Sequence, residues 1–398
     1  MDVNRERLWN HLRVLCEEIG PRLSGTPGAE RAVEHIAQHL RKCGAQVEMQ
    51  DFPCPCWEHE FTELTLLAEG GEERLPALAQ TFVDACELEA ELASASTWNE
   101  LEYAPDLDGK ALVLHGEAGS GLALDRNIKL LTAEERGAAM IVVSPTETVS
   151  SKLTRDPRIG VPSVGVPHSV GRKLLANVGK RVHLKISARR FGSTAHNVIG
   201  RLPGEENCHI VVAAHHDSAA YSPGATDNAS GAAVLLELCE VLAAESGRKL
   251  GIHFVTYGGH EYGRHKSNLG SVQYVRHHAE DMAKTRGIIE GDVIGTIVGA
   301  PRARVAGWPP RLKDGLLSVL WRFPRATVDI RPQTEPPHTS LGLVGVPALV
   351  FIRNYSSIPI HTAQDTIDLL SPTELASEAD IMAAVVRYLT SAEGVRAE

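Results

Sequence analysis

The sequence has no basic run, no long apolar stretch and no second cysteine pair to match its one close pair, and each gap removes a class of function. With 40 Lys and Arg against 50 Asp and Glu, the formal net charge is −10, so a surface for nucleic acid or anionic membrane is not expected. No window reaches the roughly 18 apolar residues of a membrane span. The opening segment, MDVNRERLWNHLRVLCEEIG, scatters charges where a secretory signal needs an apolar core, so no export signal is expected. Seven cysteines, an odd number in a chain of 398 residues, suit reduced thiols and a cytoplasmic location. Cys54 and Cys56 lie in PCPCW among prolines, so an irregular linker is expected there rather than a metal clip.

The length asks for more than one core, because single hydrophobic cores stop growing near 250–300 residues. Leu8, Leu12, Leu15 and Ile19 recur at helical spacing. A second helix is predicted to start at Thr26 as N-cap with Pro27 at its first position, and to stop at Gly44. Residues 1–50 thus read as helices that dock on a catalytic domain. Residues 51–192 change to short β-like runs, such as GKALVLHG, GAAMIVVS and RVHLKIS, with one helix expected around 127–136. No ligand cluster is visible in them, and a mostly β insert that shapes a site elsewhere is expected. Residues 193–398 read as α/β: NVIGRL, HIVVAAHHD, GIHFVTY and GVPALVFI are strands, with helices at SGAAVLLELCEVLAA and over 374–389. Continuous apolar strands flanked by helices predict a sheet covered on both faces, with function beyond the carboxyl ends of its strands.

Those ends carry metal-ligand chemistry. VVAAHHDS supplies His215, His216 and Asp217; GATDNASG supplies Asp227; GGHEYG supplies His260 and Glu261; EGDVIG supplies Asp292; IPIHTAQDT supplies His361 and Asp365. One His–x–Asp is weak, since a lone histidine is more often a satisfied core or surface group. Two histidines and three carboxylates at strand ends and Gly-rich turns are harder to dismiss. Imidazole and carboxylate without cysteine suit a catalytic zinc site. Asp217 and Asp365 are spaced to orient His215 and His361, and His216, pointing the other way, is expected to pack.

The motifs AHHDS…PGATDNASGAAVLLEL, GGHEYG, GDVIG and HTAQDT resemble those of the co-catalytic di-zinc exopeptidases of clan MH, which include bacterial aminopeptidases and the glutamate carboxypeptidase II group. GPRLSGTPGAERAVEHIAQHL is similar to that family's opening, and residues 51–192 resemble its protease-associated insert. The resemblance implies an α/β fold with a central mixed, mostly parallel sheet flanked by helices. It also implies two Zn2+ ions, with Co2+ or Mn2+ as substitutes: His215 and Asp292 on one, Glu261 and His361 on the other, Asp227 bridging. Such proteins hydrolyse a peptide or related amide bond.

Two positions depart from the pattern. His260 stands where the family has its general-base glutamate, and Ile360 replaces a tyrosine before the last histidine. His260 is expected to serve as general base or acid, with Asp217 as its catalytic neighbour; a third ligand role and a substitute carboxylate at Glu290 remain open. TEPPHTSLGLVGVPALVF is expected to line the pocket, with His338, Arg353 and Tyr355 contacting substrate. The rival readings are a metal-binding pseudo-peptidase that recruits a partner, and a single-zinc acyl transferase. A homo-oligomer is compatible with all three.

Overall fold

The computed structural model describes residues 2–68, 70–120, 123–144, 154–262, 269–331, 342–353 and 358–396. The chain divides into two compact units. The first comprises Met1–Cys54, Thr194–Glu261 and Lys266–Glu398, and the second comprises Pro55–Ser193 with Tyr262–His265.

In the first unit four parallel strands lie side by side in the order Ala348–Ile352, Thr285–Asp292, His209–His215 and Gly251–Tyr257. Antiparallel neighbours flank them: Arg302–Ala306 beside Ala348–Ile352, and the Val198–Leu202 portion of Arg181–Leu202 beside Gly251–Tyr257. Thr327–Arg331 then pairs with Arg302–Ala306 in parallel.

Side-chain alternation sends successive residues to opposite faces. Ile210, Val212, Ala214, Phe254 and Ile289 enter one large core, with Leu8, Leu12, Ile36, Leu235 and Met382 from helices. Val211, Ala213, Val255, Tyr257 and Ile288 enter the other, against Tyr274. Both faces are therefore covered, which is why every residue of His209–His215 is buried and why that strand reads as one apolar run.

The helix Pro27–Lys42 begins as its sequence dictates: Thr26 Oγ1 accepts from the Ala29 amide at 3.4 Å, and Pro27 occupies a position where no amide proton is missed. Thr26→Ala should cost about 1 kcal/mol, read as a lower urea midpoint at unchanged m-value. The closing helix spans Pro372–Thr390.

In the second unit the strands Cys86–Ala95, Ala111–Leu114, Met140–Val143 and Ser163–Gly165 run parallel in that order. Helices Trp98–Tyr103, Ala123–Glu135 and His168–Leu175 lie between or after them in the chain, because parallel neighbours need crossover connections. Leu112, Leu114, Leu130 and Ile141 share its core.

PCPCW differs from its expectation. It is not an irregular linker but part of the strand Gln46–Ala68. The buried side chains of Phe52, Cys54 and Cys56 alternate with Pro53 and Pro55, a period-2 pattern that the prolines disguise.

Candidate metal centre

The ligand candidates sit just past the carboxyl ends of the four parallel strands. His215 ends its strand and pairs in register with Tyr257, four residues before Glu261. Asp292 ends the next strand, opposite Ile352. Parallel strands bring their ends to one edge, so residues remote in sequence converge there.

Asp227 is the hub. Its Oδ1 lies 3.0 Å from His215 Nε2, and its Oδ2 lies 3.0 Å from His361 Nε2. Asp292 Oδ1 is 3.5 Å from His215 Nε2, and Glu261 Oε2 is 3.1 Å from His361 Nε2. The five side chains therefore form two sets that share Asp227. Asp227, Glu261 and Asp292 are buried together, and among the described residues the ion-pair partners of Asp227 and Glu261 are histidines alone. Three carboxylates taken out of water need a cation. Glu261 Oε1 and His361 Nδ1 lack a hydrogen-bond partner. The donor set, imidazole Nε2 and carboxylate oxygen without sulfur, fits zinc.

Burial raises the proton affinity of Glu261, and the neighbouring carboxylates raise that of His361. Burial pushes the Glu261 carboxyl up to about 7, against the pull of His361. Burial opposes charge on His361, but Glu261 and Asp227 more than offset it and carry His361 up to about 9. A cation entering here would displace those protons.

The supporting contacts are specific. Asp217 faces His215 Nδ1 through its carbonyl oxygen at 3.1 Å and its Oδ1 at 3.5 Å. The same carboxylate accepts from the amides of His260, at 3.3 Å, and Glu261, at 3.1 Å, and so anchors two strand ends. Asp365 does not orient His361, as its spacing suggested. It accepts from the Thr226 amide at 2.8 Å, the Thr226 hydroxyl at 2.6 Å and the Asp227 amide at 3.1 Å, and thereby fixes the hub. A turn closed by the Asp365 amide on the Thr362 carbonyl, at 3.2 Å, accompanies this placement of the Asp365 carboxylate against the Thr226–Asp227 loop. His216 packs, with Nδ1 3.2 Å from Thr256 Oγ1.

Backbone strain gathers at the same place. His361 has φ 62° and Val293, directly after Asp292, has φ 51°. Left-handed backbone costs a β-branched residue most, and such strain persists only where surrounding contacts enforce it. Gly259, at φ 66°, makes the turn that presents His260 and Glu261, and its amide donates to Ser24 Oγ at 2.7 Å.

His260 lies flat on His215, with ring centroids 3.8 Å apart and planes 5° from parallel. One donor atom each of His215, His260 and Asp292 falls within 4.8 Å of the others. His260 Nδ1 is buried without a partner, and burial together with His215 pushes the ring's pKa down to about 3. Glu290, two residues before Asp292, is also buried, and burial with Asp292 holds its carboxyl well above the usual range. Ile360 packs with Val293, Val350, Ile352 and Ile358.

Arg353 is placed elsewhere. Its side chain is buried, with Nε 2.7 Å from Glu378 Oε1, and Nη2 2.6 Å from that oxygen and 2.8 Å from Glu374 Oε2. Nη1 donates to the carbonyls of Thr296 at 2.8 Å and Gly299 at 2.6 Å. That network, not a substrate carboxylate, takes its donors. His338 and Tyr355 lie outside the described residues.

Arg22 was not expected. It is fully buried, and its Nε donates to the His216 carbonyl at 2.7 Å, its Nη2 to the Gly224 carbonyl at 2.8 Å, and its Nη1 to the Pro223 carbonyl. It therefore fixes the loop between His215 and Asp227. The family-like opening GPRLSG was the signal for it.

Residues 197–386 match peptidase family M28. The chain is 27% identical to aminopeptidase YwaD of Bacillus subtilis, over 95% of this chain and 83% of that protein. It is 24% identical to bovine carboxypeptidase Q, over 97% of this chain and 86% of that protein. Among solved structures it superposes on the zinc aminopeptidase BSAP of Bacillus subtilis with a TM-score of 0.78 and 22% identity, over 98% of this chain and 96% of that one.

Proposed function

We propose that this chain, whose residues 197–386 match peptidase family M28, is a two-zinc hydrolase of peptide or related amide bonds that removes residues from a chain end. The observation that carries this reading is Asp227, whose two oxygens each face a different histidine at 3.0 Å. His215 and Asp292 would hold one ion and Glu261 and His361 the other, with Asp227 shared. Zinc bound there supplies Lewis acidity toward the scissile carbonyl and lowers the pKa of a water.

The rest falls to the chain's own residues. Asp217 holds the His215 ring and the His260–Glu261 backbone in place. Asp365 and Arg22 fix the loop that carries Asp227. His260 is neutral at working pH, since burial and His215 disfavour its charged form, and its ring lies against that of His215, beside the proposed metal ligands. It takes the proton that the family's glutamate would take.

Aminopeptidase and carboxypeptidase relatives both support an exopeptidase, and the end that is cleaved separates them. The second unit supplies none of these ligands, which supports reading it as the protease-associated insert. Seven free thiols support a reducing cytoplasm, and no helix among the described residues is long and apolar enough to cross a membrane.

The test is a panel of aminoacyl anilides, peptides with free carboxyl ends and N-acyl amino acids, assayed with and without chelator. Turnover of at least one class should vanish with chelator and return with Zn2+. No metal-dependent turnover on any class would leave the pseudo-peptidase standing. Stripping the metal should also lower the unfolding temperature by about 5–10 °C, since ligands held near a thousand times their Kd contribute about 4 kcal/mol each.

A further inference from the structure

The helix Pro27–Lys42 and the helix Ser230–Ala243 bring together a second group of ligand-type side chains, none of which belongs to the centre described above. His39 and Cys43 stand one helical turn apart and so share a face. Glu240 meets them from the other helix. His39 Nε2 to Cys43 Sγ is 3.4 Å, His39 Nε2 to Glu240 Oε2 is 3.4 Å, and Cys43 Sγ to Glu240 Oε2 is 3.6 Å.

Those three lengths decide what the cluster can hold. A tetrahedral zinc ion with bonds of about 2.0–2.1 Å to nitrogen, 2.0–2.2 Å to oxygen and 2.3 Å to sulfur sets its ligands roughly 3.4–3.6 Å apart. The three donor atoms already stand at that spacing. We propose that His39, Cys43 and Glu240 form a second, thiolate-containing site for a zinc-like divalent cation, separate from the hydrolytic centre and structural in role.

The surroundings favour it. Glu240 has its other oxygen, Oε1, 3.5 Å from Arg7 Nη1, which orients Oε2 toward the cysteine. Cys239 hydrogen-bonds the Cys43 sulfur and favours its thiolate. His11 packs edge-on against the His39 ring at 4.3 Å and braces it. His39 is buried while Glu240 is partly exposed, so solvent reaches the cluster from the Glu240 side. Such an ion would tie the N-terminal helices to the helix that follows Asp227.

Sulfur makes the site distinguishable from the hydrolytic centre, whose ligands are nitrogen and oxygen only. Protein stripped of metal and titrated to saturation with Co2+ alone should show a sulfur-to-cobalt charge-transfer band in the near ultraviolet whose final amplitude corresponds to one thiolate-bound ion per chain. Cys43→Ser should abolish the band and lower bound cobalt by one ion per chain, with metal-dependent peptide hydrolysis retained. His39→Gln and Glu240→Gln, which keep the thiol, should each weaken cobalt binding at this site by at least about tenfold. The proposal is overturned if wild-type protein shows no sulfur band at saturating Co2+, or if the band survives in Cys43→Ser. Should Cys43→Ser fail to fold, an unchanged band in both glutamine variants overturns it equally. Loss of hydrolysis alone with the sulfur band intact would count against the proposed function and leave this site standing.

Discussion

His260→Gln should lower kcat/KM on a peptide substrate by about 10²–10⁴-fold, the range over which a positioned proton acceptor acts. Glutamine keeps a polar side chain of similar reach but offers no basic nitrogen, so the loss reports proton transfer rather than space. Burial and His215 drive the ring's pKa down to about 3, so the histidine is neutral but a weak proton acceptor. Such a weak base works only because zinc would bring the water's own pKa near 7. His260→Glu rebuilds the family's glutamate pair and should retain or raise activity. Metal content must be measured beside the rates, because His260 also stands within 4.8 Å of donor atoms of His215 and Asp292. A glutamine variant that loses an ion makes His260 a ligand. One that keeps its metal and its full rate makes His260 a shaper of the pocket, and the proton-acceptor role falls.

The convergence of the candidate ligands was legible because parallel sheets put strand ends in one predictable place. HIVVAAHHD is an apolar run that stops at polar residues, and the stop marks the strand's carboxyl end, where His215 lies; Asp292 of EGDVIG ends the neighbouring strand. Other features were hidden for physical reasons. RARVA and TVDIR are strands with charged residues at alternate positions, so neither shows an apolar run, although Ala303 and Val305 are buried. The job of Asp365 depends on the turn that follows His361, which spacing does not encode. The His39, Cys43 and Glu240 cluster joins segments about two hundred residues apart, and each residue taken alone reads as an ordinary helix position.

The destiny of Arg353 was equally invisible, because a buried arginine needs acceptors from several segments at once. Here Thr296, Gly299, Glu374 and Glu378 supply them. Arg353→Leu should therefore destabilise the protein by about 3–5 kcal/mol, the cost of breaking a buried ion pair by removing one partner. The cost arises because Glu378, which is fully buried, keeps its charge without a counter-ion or must take up a proton. Removing both groups is a different perturbation. Arg353→Leu combined with Glu378→Leu leaves no uncompensated charge, so the double variant should be more stable than Arg353→Leu alone, a coupling that urea unfolding of the four proteins of the cycle measures. The carbonyls of Thr296 and Gly299 still lose their donor, so full recovery is not expected. If Arg353→Leu unfolds within 1 kcal/mol of wild type while KM rises sharply, the network is not what holds the residue, and the substrate contact suggested by its sequence position returns.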